Sequence, residues 1–393
     1  MWNNYRILFF LKIFKSVLMS FVDSFLILYF LDVSDKNILP LGIYKLVAVI
    51  AIYITIFAVR NINKTSKRVY ILRAGIIMDF LYFATLIALK EKVIDYIYLV
   101  GLLYGVEEGL YYSVFNVLES DGIQIEERSR YMGTYSATQS VLSMVFPIFF
   151  GTLIRAQGFL RCLFVVLVIV ALRIVLSFYF RDNNIPPTKE YRAGQFKDIM
   201  RQDKRIQLVM RETFFEGMTI SEGAFSYIVT IYIARVFSDS FSLGIFTSIF
   251  AVVSTLCAVL FARALKPKYY LSVIKVTSAL ALITMCLMLI RTNAFTIITF
   301  KFFYTVMVGL VGLINMTSIG NVSNLPALRE YKVEYYLANE KALVIGCVIS
   351  NLIFIIMAYL DSGIIIVAFV LFLALYALSS AQMEKEIRKG ETA

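Results

Sequence analysis

The sequence predicts an all-α membrane protein of twelve transmembrane helices in two six-helix halves. Three observations predict it. The chain of 393 residues is 60% apolar, where a soluble chain has about 45–50%. Its apolar residues form twelve runs, most near the ~20 residues that a membrane-crossing helix needs. Lys and Arg gather between the runs on alternating sides, about 23 against about 7.

The runs fall at roughly 6–31, 41–59, 69–89, 95–118, 131–154, 161–180, 206–234, 241–263, 270–290, 293–319, 336–360 and 363–380. Their length and uniform apolarity favour helices over barrel strands. The first run is too long for a signal peptide and is read as span one. The polar stretch Arg181–Arg211 divides the runs six and six. The expected organisation is a first bundle over 1–181, a cytoplasmic linker over 182–205 and a second bundle over 206–393. Gln195–Lys204 is read as plain linker or as a short basic helix on the membrane surface. The basic segments Arg60–Arg68, Arg181–Arg211 and Arg263–Lys268 set both termini in the cytoplasm of a cell-membrane protein.

A charge in mid-bilayer costs at least ~2.5–3.5 kcal/mol, so it faces a cavity or a partner. Span one holds Lys12, Lys15 and Asp23 on one face. Lys12 and Lys15 are long enough to snorkel to the inner surface. Asp23 is too short for that and is read as a pathway residue or an ion-pair partner. Span three has Arg73 as an inner-surface anchor and Asp79 near its middle. Span four has Glu107 and Glu108. Glu108, Tyr112 and Asn116 share one stripe, which puts Glu108 towards a cavity and Glu107 in a pair. Tyr112 is suited to stacking or cation–π contact. Span five contains Pro147, where a bend is expected. Arg173 in span six is read as binding an anionic substrate or, in preference, as neutralising a carboxylate. Span seven carries Glu212 and Glu216 on one stripe and Glu222 on another, and Lys301 lies in span ten. Glu340 and Lys341 sit near the inner end of span eleven.

Several function classes fall away. The net charge of +11 reflects basic inner loops, not nucleic-acid binding, and no nucleic-acid motif interrupts the spans. Histidine is absent, which removes His-based catalysis, most zinc sites and His-ligated haem. Cys162, Cys257, Cys286 and Cys347 form no CxxC pair and read as packing residues. No P-loop is present, so ATP is not the fuel. No cofactor or metal is expected, and no enzyme.

An internal repeat supports the two halves. A shift of 205 residues lays Ser113, Asn116, Val117, Tyr131, Ala137, Ile148 and Phe149 on Ser318, Asn321, Val322, Tyr336, Ala342, Ile353 and Phe354. Spans four and five thereby fall on spans ten and eleven, as a duplicated six-helix unit demands.

This arrangement resembles the major facilitator superfamily (MFS), and short motifs sharpen the resemblance. The family pattern D-R-x-G-R-R between spans two and three is similar to Asn63-Lys64-Thr65-Ser66-Lys67-Arg68, with Asn63 for the acid and Ser66 for the glycine. The span-five glycine ladder of drug exporters is matched by Gly133, Pro147 and Gly151, while Leu142, Phe146 and Phe150 depart from it. The span-four pattern R-x-x-Q-G of proton-coupled members falls on Gly105, Glu108 and Gly109, so the arginine is missing. The run Gly109–Leu118 looks like span four of poorly characterised transporters from Gram-positive bacteria.

The resemblance implies a secondary transporter using alternating access, with spans one, four, seven and ten around the substrate. The implied substrate-binding or ion-coupling residues are Asp23, Glu107, Glu108, Tyr112, Asn116, Glu216, Glu222 and Lys301. The implied structural or gating residues are Asn63, Lys64, Lys67, Arg68, Gly133, Pro147 and Gly151. The expected partners are a small-molecule substrate, protons and the lipid bilayer, with the protein a monomer that binds no nucleic acid. The sequence leans to proton-coupled efflux of a lipophilic or cationic compound. Uptake or facilitated diffusion of a polar nutrient, a lipid-linked saccharide flippase and a membrane prenyl transferase are the rivals.

Overall fold

A computed structural model describes residues 4–60, 67–122, 125–181, 193–221, 223–236, 239–323, 325–328, 331–359 and 365–392. Every long element is helical, as a bilayer requires of a chain that must satisfy its own backbone. α1 (Asn4–Phe21) passes through a π-helical turn, Val22–Leu26, into α2 (Ile27–Val33). There follow α3 (Leu39–Val59), α4 (Arg68–Leu89), α5 (Ile97–Gly122), α6 (Ile125–Gln157) and α7 (Phe159–Tyr179). A short α8 (Ala193–Gln202) leads into α9 (Lys204–Thr219) and α10 (Ala224–Val236). The chain ends with α11 (Ser240–Ala264), α12 (Tyr270–Ile290), α13 (Ala294–Ser323), α14 (Lys332–Tyr359) and α15 (Ile365–Thr392).

Among the described residues, ten helical segments are long and apolar enough to cross a membrane. The sequence leads us to expect twelve. The other two expected spans fall on α5 and on α9 with α10. Glu107, Glu108 and several tyrosines lower the apolarity of α5. The apolar run 206–234 is broken into helices of 16 and 13 residues, each shorter than the bilayer core is thick.

The chain divides into two compact units. The first is Met1–Thr188 with Phe237–Ala251, and the second is Lys189–Val236 with Val252–Ala393. This differs from the expected boundaries, because the start of α11 groups with the first unit. The reason lies in two glycines. A Cβ on Gly151 of α6 would stand 2.5 Å from the Ser240 carbonyl oxygen, and one on Gly244 would stand 2.4 Å from that of Pro147. The two backbones touch, with α6 running on through Pro147.

Within the first unit, α5 lies along α3 and α4. Gly101, Gly105 and Gly109 form a stripe at four-residue spacing that meets the α3 backbone. A Cβ on Gly105 would be 2.3 Å from the Ala48 carbonyl oxygen. Such small-residue stripes let helices approach closely where lipid supplies no hydrophobic drive. In the second unit, α9 and α14 make the same kind of contact through Gly217 and Gly346.

The linker helix differs from one of its two expected readings. α8 turns Phe196 into a protein core with Val209, Val322, Leu328, Tyr335 and Met383, leaving Lys197 and Arg201 exposed. Its apolar face is therefore taken by the second unit, not by lipid. Asp203 caps α9, accepting from the Arg205 backbone N–H at 2.8 Å. The hydrogen-bonded Arg205 side chain holds the Asp203 carboxyl below its usual range.

Two stability predictions follow from these contacts. Gly105→Ala should cost about 1–3 kcal/mol, because backbone opposes backbone and neither can yield. Gly312→Ala, which meets nothing within 4 Å, should be neutral or stabilising. Thermal melts of purified protein in detergent compare them. Asp203→Ala should cost about 1 kcal/mol at pH 7. Because the folded carboxyl titrates below the unfolded one, this contribution is fully present above the unfolded value. It disappears as pH falls through the folded one, where variant and parent should melt together.

Candidate functional site

Five ionisable side chains from four helices meet inside the first unit. α1 supplies Lys15, α4 Asp79, α5 Glu107 and Glu108, and α7 Arg173. All are at most 5% exposed. Lys15 Nζ lies 2.6 Å from Glu107 Oε2, 2.5 Å from Glu108 Oε1 and 3.8 Å from Asp79 Oδ1. Arg173 Nη1 donates to Asp79 Oδ2. The Tyr111 ring closes one side, 5.4 Å from Lys15 Nζ and 5.7 Å from Arg173 Cζ. Glu107 Oε1, Arg173 Nε and Arg173 Nη2 have no hydrogen-bond partner among the described residues. Among the described residues, three carboxyl groups thus face two cations, an excess of one acid.

This cluster corrects two expectations. Lys15 does not snorkel: its ammonium turns inward, because three acids wait there and a buried charge needs partners. Glu107 and Glu108 are not split between a pair and a cavity. Although adjacent on the helix, both reach the one flexible ammonium. Lys15, Asp79 and Arg173 stand outside the expected site set. The signal for them is depth: five charges near mid-span in four different runs.

The missing span-four arginine has a steric explanation. Its position is Gly105, where the α3 backbone leaves no room even for a Cβ. The cations of this unit arrive instead from α1 and α7.

The other expected residues are dispersed. Asp23 is exposed, at the start of the π-turn that changes the phase of the helix after Lys15. Tyr112 is 49% exposed, so it does not share the surroundings of Glu108. The side chain of Asn116 lies outside the described ones, as do Glu222, Asn63 and Lys64. Gly133 is within α6. Lys67 is exposed just before α4, and Arg68 is buried at its first residue. Glu216 is half-buried on α9. Lys301 is half-buried on α13 with its Nζ 5.9 Å from the Tyr304 ring. Pro147 and Gly151 are buried at the α6–α11 crossing. Lys12 lies over the Tyr135 ring at 4.2 Å. Arg73 donates to the Ser177 and Phe180 carbonyls, capping the end of α7. Three cysteines are buried and Cys286 is exposed, all unbridged.

A second feature belongs to the other unit. The break between α9 and α10 frees backbone groups, and side chains take them up. Tyr304 Oη donates to the Thr219 carbonyl at 3.1 Å, and the Ala224 N–H donates to Ser350 Oγ at 3.1 Å. Discontinuous helices of this kind are tolerated at membrane depth only where neighbours satisfy them.

The sequence profile of the major facilitator superfamily matches residues 16–331. The chain belongs to the major facilitator superfamily. Its helices, buried intramembrane charges and interrupted helix are thus those of a multi-pass membrane transport protein. An uncharacterised Bacillus subtilis (strain 168) protein, YqgE, is 24% identical over 353 residues, covering 87% of this chain and 80% of that one. This is in keeping with the poorly characterised Gram-positive MFS members that span four resembles. Solved structures share the fold. The POT family transporter PepTSo aligns with a TM-score of 0.78 at 10% identity, covering 100% of this chain and 99% of that one. A mutant of the nucleoside transporter NupG gives 0.69 at 12%, covering 98% and 99%. An inward-facing bacterial homologue of the iron transporter ferroportin gives 0.68 at 13%, covering 97% and 98%. Two of these MFS-like neighbours are named for different cargoes, iron and nucleosides, so the likeness speaks for fold alone.

Breaking the cluster should be costly. Asp79→Asn leaves Arg173 without its carboxylate and should lose about 3–5 kcal/mol. Adding Arg173→Gln should restore part of that loss. Unfolding followed by a thiol-reactive dye, which reports exposure of buried Cys162 and Cys347, measures both variants.

Proposed function

We propose that this MFS protein is a twelve-span, proton-coupled exporter of a lipophilic or cationic compound, working by alternating access in the cytoplasmic membrane. The observation that carries the reading is the excess carboxylate of the Lys15 cluster. With no histidine in the chain, a proton carrier has to be an acid, and Glu107 and Glu108 compete for a single ammonium. A proton on either one balances the cluster, and its departure restores the excess charge. That is the two-state behaviour a coupled carrier needs. The excess acid supports a cationic cargo, and the apolar cluster of Ile228, Met285, Met288, Phe300 and Phe369 in the second unit supports a lipophilic one. The partial exporter ladder at Gly133, Pro147 and Gly151 supports outward transport.

Charge arithmetic supplies the test. Glu107→Gln or Glu108→Gln leaves two acids with two cations, a balanced cluster that folds but holds no exchangeable proton. In proteoliposomes each variant should keep substrate exchange and lose gradient-driven accumulation. Lys15→Met leaves three acids with one cation and should fail to accumulate in the membrane. Uphill transport by both Gln variants at the parental rate would remove the cluster from coupling. Inverted and right-side-out vesicles separate export from uptake, the rival reading. Single cysteines at Thr65, Thr188 and Lys36 in a cysteine-free background test orientation. Labelling from outside intact cells should reach Lys36 alone.

A further inference from the structure

We propose that Glu212 is a second proton-binding site, built in the second unit from helices that the repeat pairs with those of the Lys15 cluster. The proposal deepens the proton-coupled reading and rests on it for its role in transport, but not for its chemistry. The 205-residue shift that relates the halves carries α1 onto α9, α5 onto α13 and α7 onto α15, with Lys15 falling on Ile220, about two turns beyond Glu212. Lys15, Glu107, Glu108 and Arg173 come from α1, α5 and α7. The corresponding helices α9, α13 and α15 bring together Glu212, Asn315, Tyr376 and Ser380, all at most 2% exposed.

The second cluster has the acid but no cation. Asn315 Nδ2 donates to Glu212 Oε1 at 2.5 Å and lies 3.0 Å from both Tyr376 Oη and Ser380 Oγ. Ser380 Oγ donates to the same Glu212 oxygen at 3.4 Å. Glu212 Oε2 and Asn315 Oδ1 have no hydrogen-bond partner among the described residues. Charged and titratable neighbours come from each packed element that has one. Glu216 lies one turn along α9, Tyr335 faces in from α14, and Tyr376 from α15. α13 brings the Asn315 amide and the Tyr304 phenol. None of these supplies positive charge.

An ionised carboxylate in such surroundings costs far more than a neutral one, and buried acids escape that cost by taking a proton. A proton on Oε2 turns the unpaired acceptor into a donor and requires no cavity of its own. In the first unit the positive charge is covalently attached as Lys15. In the second it is brought by an exchangeable proton, so the two halves hold unequal charge on corresponding helices.

Infrared spectroscopy of the purified protein in lipid nanodiscs tests this without any substrate. The parent at neutral pH should show a neutral-carboxyl stretch that shifts in deuterated water. Glu212→Gln should delete that band, and Glu212→Asp should move it. Glu107→Gln and Glu108→Gln should leave it in place. Gln keeps an acceptor for Asn315 and Ser380, so Glu212→Gln should fold. If it does not, the shift produced by Glu212→Asp still assigns the band. A band unchanged in both Glu212 variants would overturn the proposal. So would its disappearance when sodium replaces choline at constant pH, which would make the site one for an alkali ion. Failure of proton coupling in the Glu107 and Glu108 variants would leave this band untouched, so the two readings fail separately.

Discussion

A charged side chain inside a bilayer has no water to turn to, and the first unit is arranged around that constraint. One ammonium, Lys15, draws carboxylates from α5 and α4, and Asp79 in turn takes the guanidinium of α7. Four helices are thereby held to one point by interactions that none could satisfy alone. Apolar packing is available to every helix pair and equally to lipid, so it selects few arrangements. The ion-pair network selects one, because each charge left over would be expensive.

Close backbone contact is the second organising rule, and it determines where the charges can originate. The glycine stripe on α5 presses that helix against α3 and leaves no space for a large side chain on that face. Glu107 lies on the opposite face of α5 and Glu108 beside the stripe, and both reach Lys15. A family arginine cannot occupy Gly105, and the chain meets the electrostatic need from α1 and α7. Steric exclusion and charge balance thus act together on one helix.

Much of the fold is legible in the sequence, because apolar runs of bilayer length allow little but helices. The charged depth of α5 is legible too. The direction of Lys15 is not. A lysine at that depth can reach the surface or turn inward, and the choice depends on acids far along the chain, in α4 and α5. The Gly101, Gly105 and Gly109 spacing is present in the sequence but reads as a degenerate coupling motif, not as a packing stripe. The break after Thr219 has a local signal in Ser221 and Gly223. It is hidden by the apolar residues on both sides, which read as one continuous run.

The interrupted helix of the second unit has a mechanical meaning. Its two ends are moored to different neighbours, the Thr219 carbonyl to Tyr304 on α13 and the Ala224 amide to Ser350 on α14. Gly223 folds back so tightly that a Cβ would meet the Gly217 carbonyl. Sliding of α13 against α14 therefore acts as a torque across the joint between α9 and α10. An unbroken helix would transmit that torque as a rigid rod. Here the joint divides that rod into two shorter ones, each held by its own neighbour.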